Sequence, residues 1–155
     1  EFNGTGWSTG GALITATYGA AGAGVQNAGL RIGGNSSPAV VACTEHYDGS
    51  AWSAGGGLIH DVRESTSAGT QNAALLYGGN ATPSAPAQTA EYDGNVWISC
   101  SDLNDGRFGG ARGGGTGFAL MAGGGAPGAQ SKTEEYVKTH SGKAYLLNKK
   151  IKAQE

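Results

Sequence analysis

Ionisable side chains are scarce in this chain. Only 14% of its 155 residues are Asp, Glu, Lys or Arg. That scarcity fits either of two states: much surface buried against neighbours, or a Gly/Ala/Ser/Thr-rich β-protein with neutral loops. Cysteine is down to two, Cys43 and Cys100. Neither belongs to a CxxC pair or a metal-ligand spacing. Two free thiols are the default, and a disulfide stays open. Apolar runs are short. None reaches the roughly 18 residues that a membrane-crossing helix needs, so no membrane span is expected. Catalytic patterns are missing as well. There is no Ser-His-Asp order and no GxSxG elbow. His46, His60 and His140 share no spacing. The expectation is a protein that is not an enzyme, with no catalytic residue, no cofactor and no metal. No nucleic-acid partner is expected either. The six lysines after position 131 are spread out and carry no aromatic ladder, so they read as a solvated basic tail.

Glycine, by contrast, is abundant, at 30 residues, and it recurs in register. Tyr47-Asp48-Gly49 with Trp52 returns as Tyr92-Asp93-Gly94 with Trp97, 45 residues on. Phe2-Asn3-Gly4 with Trp7 precedes them at the same spacing, and Tyr136 begins a fourth copy. The doublet Gly33-Gly34 returns as Gly78-Gly79 and Gly123-Gly124. A period of about 40–50 residues with glycine doublets and one Trp per unit points to β-propeller blades.

Each unit reads as four short strands. Runs of very small residues at 20–24, 65–69 and 109–114 suit an inner strand, where blades crowd on an axis. Short apolar runs at 28–32, 73–77 and 118–122 end at the doublet, as buried strands closed by a turn do. A third strand, 44–47 in the first unit, meets Asp48-Gly49. That dipeptide reads as a two-residue hairpin turn, with Trp52 on the outgoing fourth strand. The Tyr and Trp of each hairpin are expected to bury aromatic area between neighbouring blades.

The Gly-Gly doublet, then Tyr, then Trp, over four short strands, resembles the kelch-type β-propeller repeat. The wording Thr-Glu-His-Tyr-Asp-Gly-Ser-x-Trp, followed by Thr-Gln-Asn-Ala-Ala-Leu-x-x-Gly-Gly, looks like the kelch-like arrays of tailed-phage virion proteins. It departs from ordinary kelch in a tighter Tyr-to-Trp hairpin and in lacking the usual charges before the doublet. The resemblance implies an all-β fold of about three kelch-like four-stranded repeats, divided as a half-blade 1–8 and repeats 9–53, 54–98 and 99–137. Residues 138–155 read as an altered last hairpin, with Tyr145 in place of the Trp, and the basic tail. The array is expected to be half of a six-bladed ring or part of a longer one, with a solenoid of the same period as the alternative. Residue 1 is Glu, so the numbering is expected to start inside a processed or truncated chain.

The resemblance further implies a structural or adhesive module, of a phage virion or a microbial surface assembly, that self-associates or contacts other virion or surface proteins. A lectin-like propeller binding surface glycans is the alternative. The expected location is a virion or the extracellular space. Some kelch-like propellers are copper oxidases, but their Tyr/Cys/His ligand set has no counterpart here. Asp48 and Asp93 invite a calcium reading that turn chemistry explains without a metal. Gly109 to Gly117 mimics a phosphate loop but lacks the Lys-Ser/Thr that completes one. Asn3, Asn35 and Asn80 sit in glycan sequons that matter only in a eukaryotic secretory protein. Binding residues concentrate in loops on rigid scaffolds. The candidates are Asn35, Ser36 and Ser37 in one loop, and Asn80, Thr82 and Ser84 in its counterpart. Asp61 and Arg63, and Asp105 and Arg107, lie in the segments joining the blades.

Overall fold

The structure is a computed structural model that describes residues 1–81, 86–125, 128–138 and, for the backbone alone, 144–146. Thr82, Ser84, His140 and most of the basic tail lie outside the described residues. Among the described residues twelve strands make three antiparallel four-stranded sheets, and there is no helix. The first sheet holds β1 (Ala21–Val25), β2 (Ala28–Ile32), β3 (Thr44–Tyr47) and β4 (Trp52–Ala54). The second holds β5 (Thr66–Thr70), β6 (Ala73–Tyr77), β7 (Thr89–Tyr92) and β8 (Trp97–Ser99). The third holds β9 (Ala111–Gly114), β10 (Phe118–Ala122), β11 (Thr133–Lys138) and β12 (Ala144–Leu146). Within each sheet the strands follow chain order. The first 8 residues close a separate hairpin with Phe2 opposite Trp7.

The strands with a hydrophobic signature lie where the pattern predicts them. The inner strands begin a residue or two late, at Ala21, Thr66 and Ala111. Runs of Gly, Ala and Ser carry no alternation to set a boundary. The two-residue Asp-Gly turn is corrected. Tyr47 pairs with Trp52, leaving a four-residue connection from Asp48 to Ala51. Asp48 N–H donates to Ala51 C=O at 3.2 Å, and the Asp48 carboxylate accepts the N–H groups of Ser50 and Ala51. Asp93 accepts from Asn95 and Val96 in the same way, and Asn3 from Thr5 and Gly6. The side chain thus replaces missing strand hydrogen bonds in all three hairpins. These contacts hold the Asp48 and Asp93 carboxyls below the usual carboxylate range. The Tyr145 expectation is corrected too. Leu146, not Tyr145, stands opposite Tyr136, in the register where Trp52 and Trp97 stand opposite Tyr47 and Tyr92.

The core lies between sheets. Successive strand residues face opposite sides, so β6 serves two neighbours. Leu30 and Ile32 pack with Val62, Ala74, Leu76, Ala90, Tyr92 and Trp97 between the first and second sheets. Ala68, Leu75 and Tyr77 pack with Leu103, Ala119, Met121 and Tyr136 between the second and third. The glycine doublet locks the joint. Gly34 N–H donates to Val62 C=O, and Gly79 N–H to Arg107 C=O, each at 2.8 Å. A Cβ on Gly33 or Gly78 would come within 2.4 or 2.3 Å of those same carbonyls, and both residues have φ of 60°. Only glycine combines that close approach with that backbone.

The tyrosine of each third strand ties its unit to the one before. Tyr47 OH donates to Glu1 at 2.5 Å, Tyr92 OH bonds His46 Nε2 at 2.8 Å, and Tyr136 OH donates to Glu91 at 2.8 Å. Glu1, His46 and Glu91 are successive repeat equivalents. Burial, then the Glu91 carboxylate, pushes the Tyr136 hydroxyl far up. Cys100 lies beside this contact, and burial pushes its thiol up to about 11. Cys43 and Cys100 are both free and half-buried.

The three tryptophans do not share one environment. Trp97 is 7% exposed, and its Nε1 donates to Thr44 Oγ1 at 3.0 Å. Trp52 is half-buried, with Nε1 on Gly11 C=O at 3.1 Å. Trp7 is 83% exposed and touches Phe2 at a centroid distance of 5.4 Å. The expectation of buried aromatic area in every hairpin is therefore corrected for the first. Trp97 lies against the sheet before it, and among the described residues no such sheet stands beside Trp7.

Candidate functional site: the loop face and the inner-strand groove

The β2–β3 loops and the segments joining the sheets meet on one face. Short antiparallel bridges pair Tyr18 with Asn35, Arg63 with Asn80, and Phe108 with Gly125. The two sets of candidate residues are therefore adjacent. Asn80 N–H donates to Arg63 C=O at 2.7 Å, and Arg63 N–H returns to Asn80 C=O at 3.1 Å. Ser36 and Ser37 shape the loop beside Asn35, where Ser36 N–H donates to Ala39 C=O at 2.8 Å. Asp61 is exposed. Asp105 is exposed and pairs with Lys132 at 2.5 Å, which holds its carboxyl below the ordinary range.

Two candidates are corrected. Asn35 is only 5% exposed, and its Oδ1 accepts the Ser37 N–H at 2.7 Å, so it builds the loop rather than presenting it. Arg107 is fully buried and pairs with Glu134 at 2.7 Å between the second and third sheets. A charge in a connecting segment reads as solvated from sequence. Here the segment runs beneath the next sheet.

Two residues of interest escaped the sequence reading. Glu64 has φ of 54° at the register where Gly19 and Gly109 have 64° and 65°. Its N–H donates to Gly19 C=O at 2.6 Å, and its own C=O accepts from Gly109 at 3.1 Å. The carboxylate takes the Asn80 side-chain amide at 3.1 Å. Comparing positions 19, 64 and 109 would have found it. The second is Arg112. The inner strands β1, β5 and β9 converge on a groove of about 260 Å³ lined by Gly22, Ser67, Arg112 and the glycines and alanines beside them. Ser67 Oγ donates to Gly22 C=O at 2.7 Å, and Arg112 Nη1 reaches the same carbonyl at 3.2 Å.

Among the described residues no group of three or more His, Cys, Asp or Glu side chains gathers into a metal-binding set. His60 is half-buried on the loop face. Desolvation lowers its pKa, and Asp102 and Asp61 oppose that shift. No helix among the described residues is long and apolar enough to cross a membrane.

No family model matches the chain. No curated protein matches it either. Among solved structures, that of YjhT superposes on 88% of this chain with a TM-score of 0.74 at 14% sequence identity. The chain spans 47% of that structure's length. At such identity the likeness speaks for the fold alone.

Proposed function

We propose that this chain is a non-enzymatic contact module built of kelch-like propeller blades, a structural or adhesive part of a phage virion or microbial surface assembly. The observation that carries the proposal is the outward face of the third sheet. Phe118 there is 67% exposed, and Leu120 and Glu135 share its side by strand alternation. Glu135 stands at the register of Glu1, His46 and Glu91, each of which takes the tyrosine hydroxyl of the following unit. The face thus repeats the acceptor half of a joint used three times within the chain. Its natural occupant is another repeat of the same kind, from a second copy or from a partner built alike. Exposed strand faces of this sort favour association.

Sedimentation of the 155-residue chain at micromolar concentration tests this reading. Self-association that Phe118→Glu abolishes is the expected result. A compact monomer that unfolds cooperatively, unchanged by Phe118→Glu, refutes it.

A second reading is a lectin-like propeller. It is favoured by Tyr18, 61% exposed on the loop face beside Asn35, and by Trp7 at the first hairpin. Exposed aromatic rings present flat apolar faces with a polar edge, which suits the apolar face of a sugar ring. A glycan array with the native chain and with Tyr18→Ala separates the readings. Saturable glycan signal lost in the variant supports the lectin.

A further inference from the structure

We propose that the inner-strand groove is a binding site for a small oxyanion, a carboxylate or phosphate group, with Arg112 as its charged ligand. The proposal stands apart from the contact-module reading, because it concerns the inner strands and not the outward face of the third sheet. Positions 22, 67 and 112 are repeat equivalents. The first is Gly and the second Ser, so the crowded groove is kept open there. The third is Arg, whose side chain crosses all three inner strands to reach Ser67 Oγ and Gly22 C=O. Among the described residues its hydrogen bonds leave from Nη1 alone. Arg112 is exposed, while the Ser67 beneath it is 1% exposed. Nε and Nη2 remain in the planar fork that matches an oxyanion.

Backbone donors add to the guanidinium. A strand residue sends its N–H and C=O to the same edge. Gly22 C=O points across the groove toward Ser67 and Arg112, so the Gly22 N–H lies on that edge too. β1, β5 and β9 are each the end strand of their sheet, so among the described residues this edge has no strand partner. The lining is otherwise glycine and alanine, so nothing shields those N–H groups. Among the described residues no carboxylate lines the groove to repel an anion or to neutralise Arg112. The volume of about 260 Å³ is below the roughly 300–1,000 Å³ of drug-sized sites. It suits one oxyanion group with a few atoms attached, not an extended chain.

Titration calorimetry on the full chain tests the site with inorganic phosphate and with acetate, each against chloride at equal ionic strength. The native chain should bind at least one of the two saturably, at about one equivalent. Arg112→Ser copies the residue that the middle sheet carries at this register. It should weaken binding at least tenfold, while the melting temperature moves by no more than about 2 °C, as for an exposed substitution. Arg112→Lys keeps the charge but not the fork and should fall between them. Tighter phosphate assigns a phosphate ester and tighter acetate a carboxylate, and either order upholds the site. Equal binding by native and Arg112→Ser, or no saturable binding of either anion, overturns it.

Discussion

The joint before the second sheet and the joint before the third have the same backbone and opposite chemistry. At the first of these, Val62, Leu76 and Ala90 meet in an apolar cluster. The equivalent positions before the third sheet are Arg107, Met121 and Glu134. There an ion pair, with side chains 0% and 6% exposed, replaces two apolar residues. Glu134 also accepts the Asn104 N–H at 2.7 Å. The first sheet shows a third solution. Glu45 accepts the N–H groups of Ile14 and Thr15, just as Glu134 serves Asn104. Its partner is Arg31, which comes from β2 rather than from the connecting segment. What the repeat preserves is therefore the shape of the joint, not its polarity. A glutamate can hold the incoming segment if an arginine from either direction neutralises it, and an apolar pair does without both.

The largest effect should come from breaking one pair and leaving its charge buried. Glu134→Ala strands Arg107, whose Nε and Nη1 already lack partners among the described residues. A loss of about 3–5 kcal/mol is expected, as for other uncompensated buried charges. Glu45→Ala should cost less, because Arg31 keeps hydrogen bonds to the carbonyls of Gly33 and Cys43. Denaturant melts of the two variants would rank them. The reverse order would mean that the carbonyls of Gly33 and Cys43 do not compensate Arg31 for the lost carboxylate.

The tryptophans extend the contrast to the hairpins. Trp97→Ala should cost about 3–5 kcal/mol, as large core truncations do. Trp7→Ala should stay within about 0.5 kcal/mol, as exposed substitutions do, and Trp52→Ala should fall between. Three equal values from the same melts would mean that exposure does not govern these sites.

The smallest effect is electrostatic. Asp48 and Asp93 have folded pKa values lowered mainly by backbone hydrogen bonds. A depressed carboxyl contributes stability above its unfolded value, about 3.9, and loses it as pH falls through the folded value. Asn3 makes the same turn contacts without a charge. Asp48→Asn with Asp93→Asn should therefore fold normally and lose part of the stability decline below about pH 4. An unchanged acid slope in melts from pH 5 to pH 2 would mean that these turns contribute nothing to acid sensitivity.

Much of the fold was legible because burial writes itself into apolar runs. Leu75, Leu76 and Tyr77 announce β6, and the glycine doublets mark where the chain passes under its neighbour. The inner strands were blurred because Gly, Ala and Ser at the crowded centre carry no alternation. The bridge from Arg63 to Asn80, which brings the two sets of candidate loops side by side, left no mark in the sequence. The polar residues of these loops were misjudged where context overrides type. Asn35 is spent on Ser37, and Arg107 is buried with a partner 27 residues away. Glu64 and Arg112 are visible only by aligning the units on one another. Each is ordinary in isolation and odd only beside its equivalents, Gly19 and Gly109 for the one, Gly22 and Ser67 for the other.

The central claim is that the repeat preserves a joint whose polarity is interchangeable. The direct measurement is a denaturant melt of the double variant Arg107→Val with Glu134→Ala, which rebuilds the third sheet's joint on the pattern of Val62 and Ala90. Replacing a buried ion pair with packed apolar residues is often neutral or stabilising by about 1–4 kcal/mol. The Asn104 N–H would lose an acceptor, but Asn104 is exposed, as is its equivalent Ile59, which sits opposite no glutamate. The account predicts that the double variant recovers the stability lost by Glu134→Ala and matches or exceeds the native chain. A double variant as unstable as Glu134→Ala alone would contradict it.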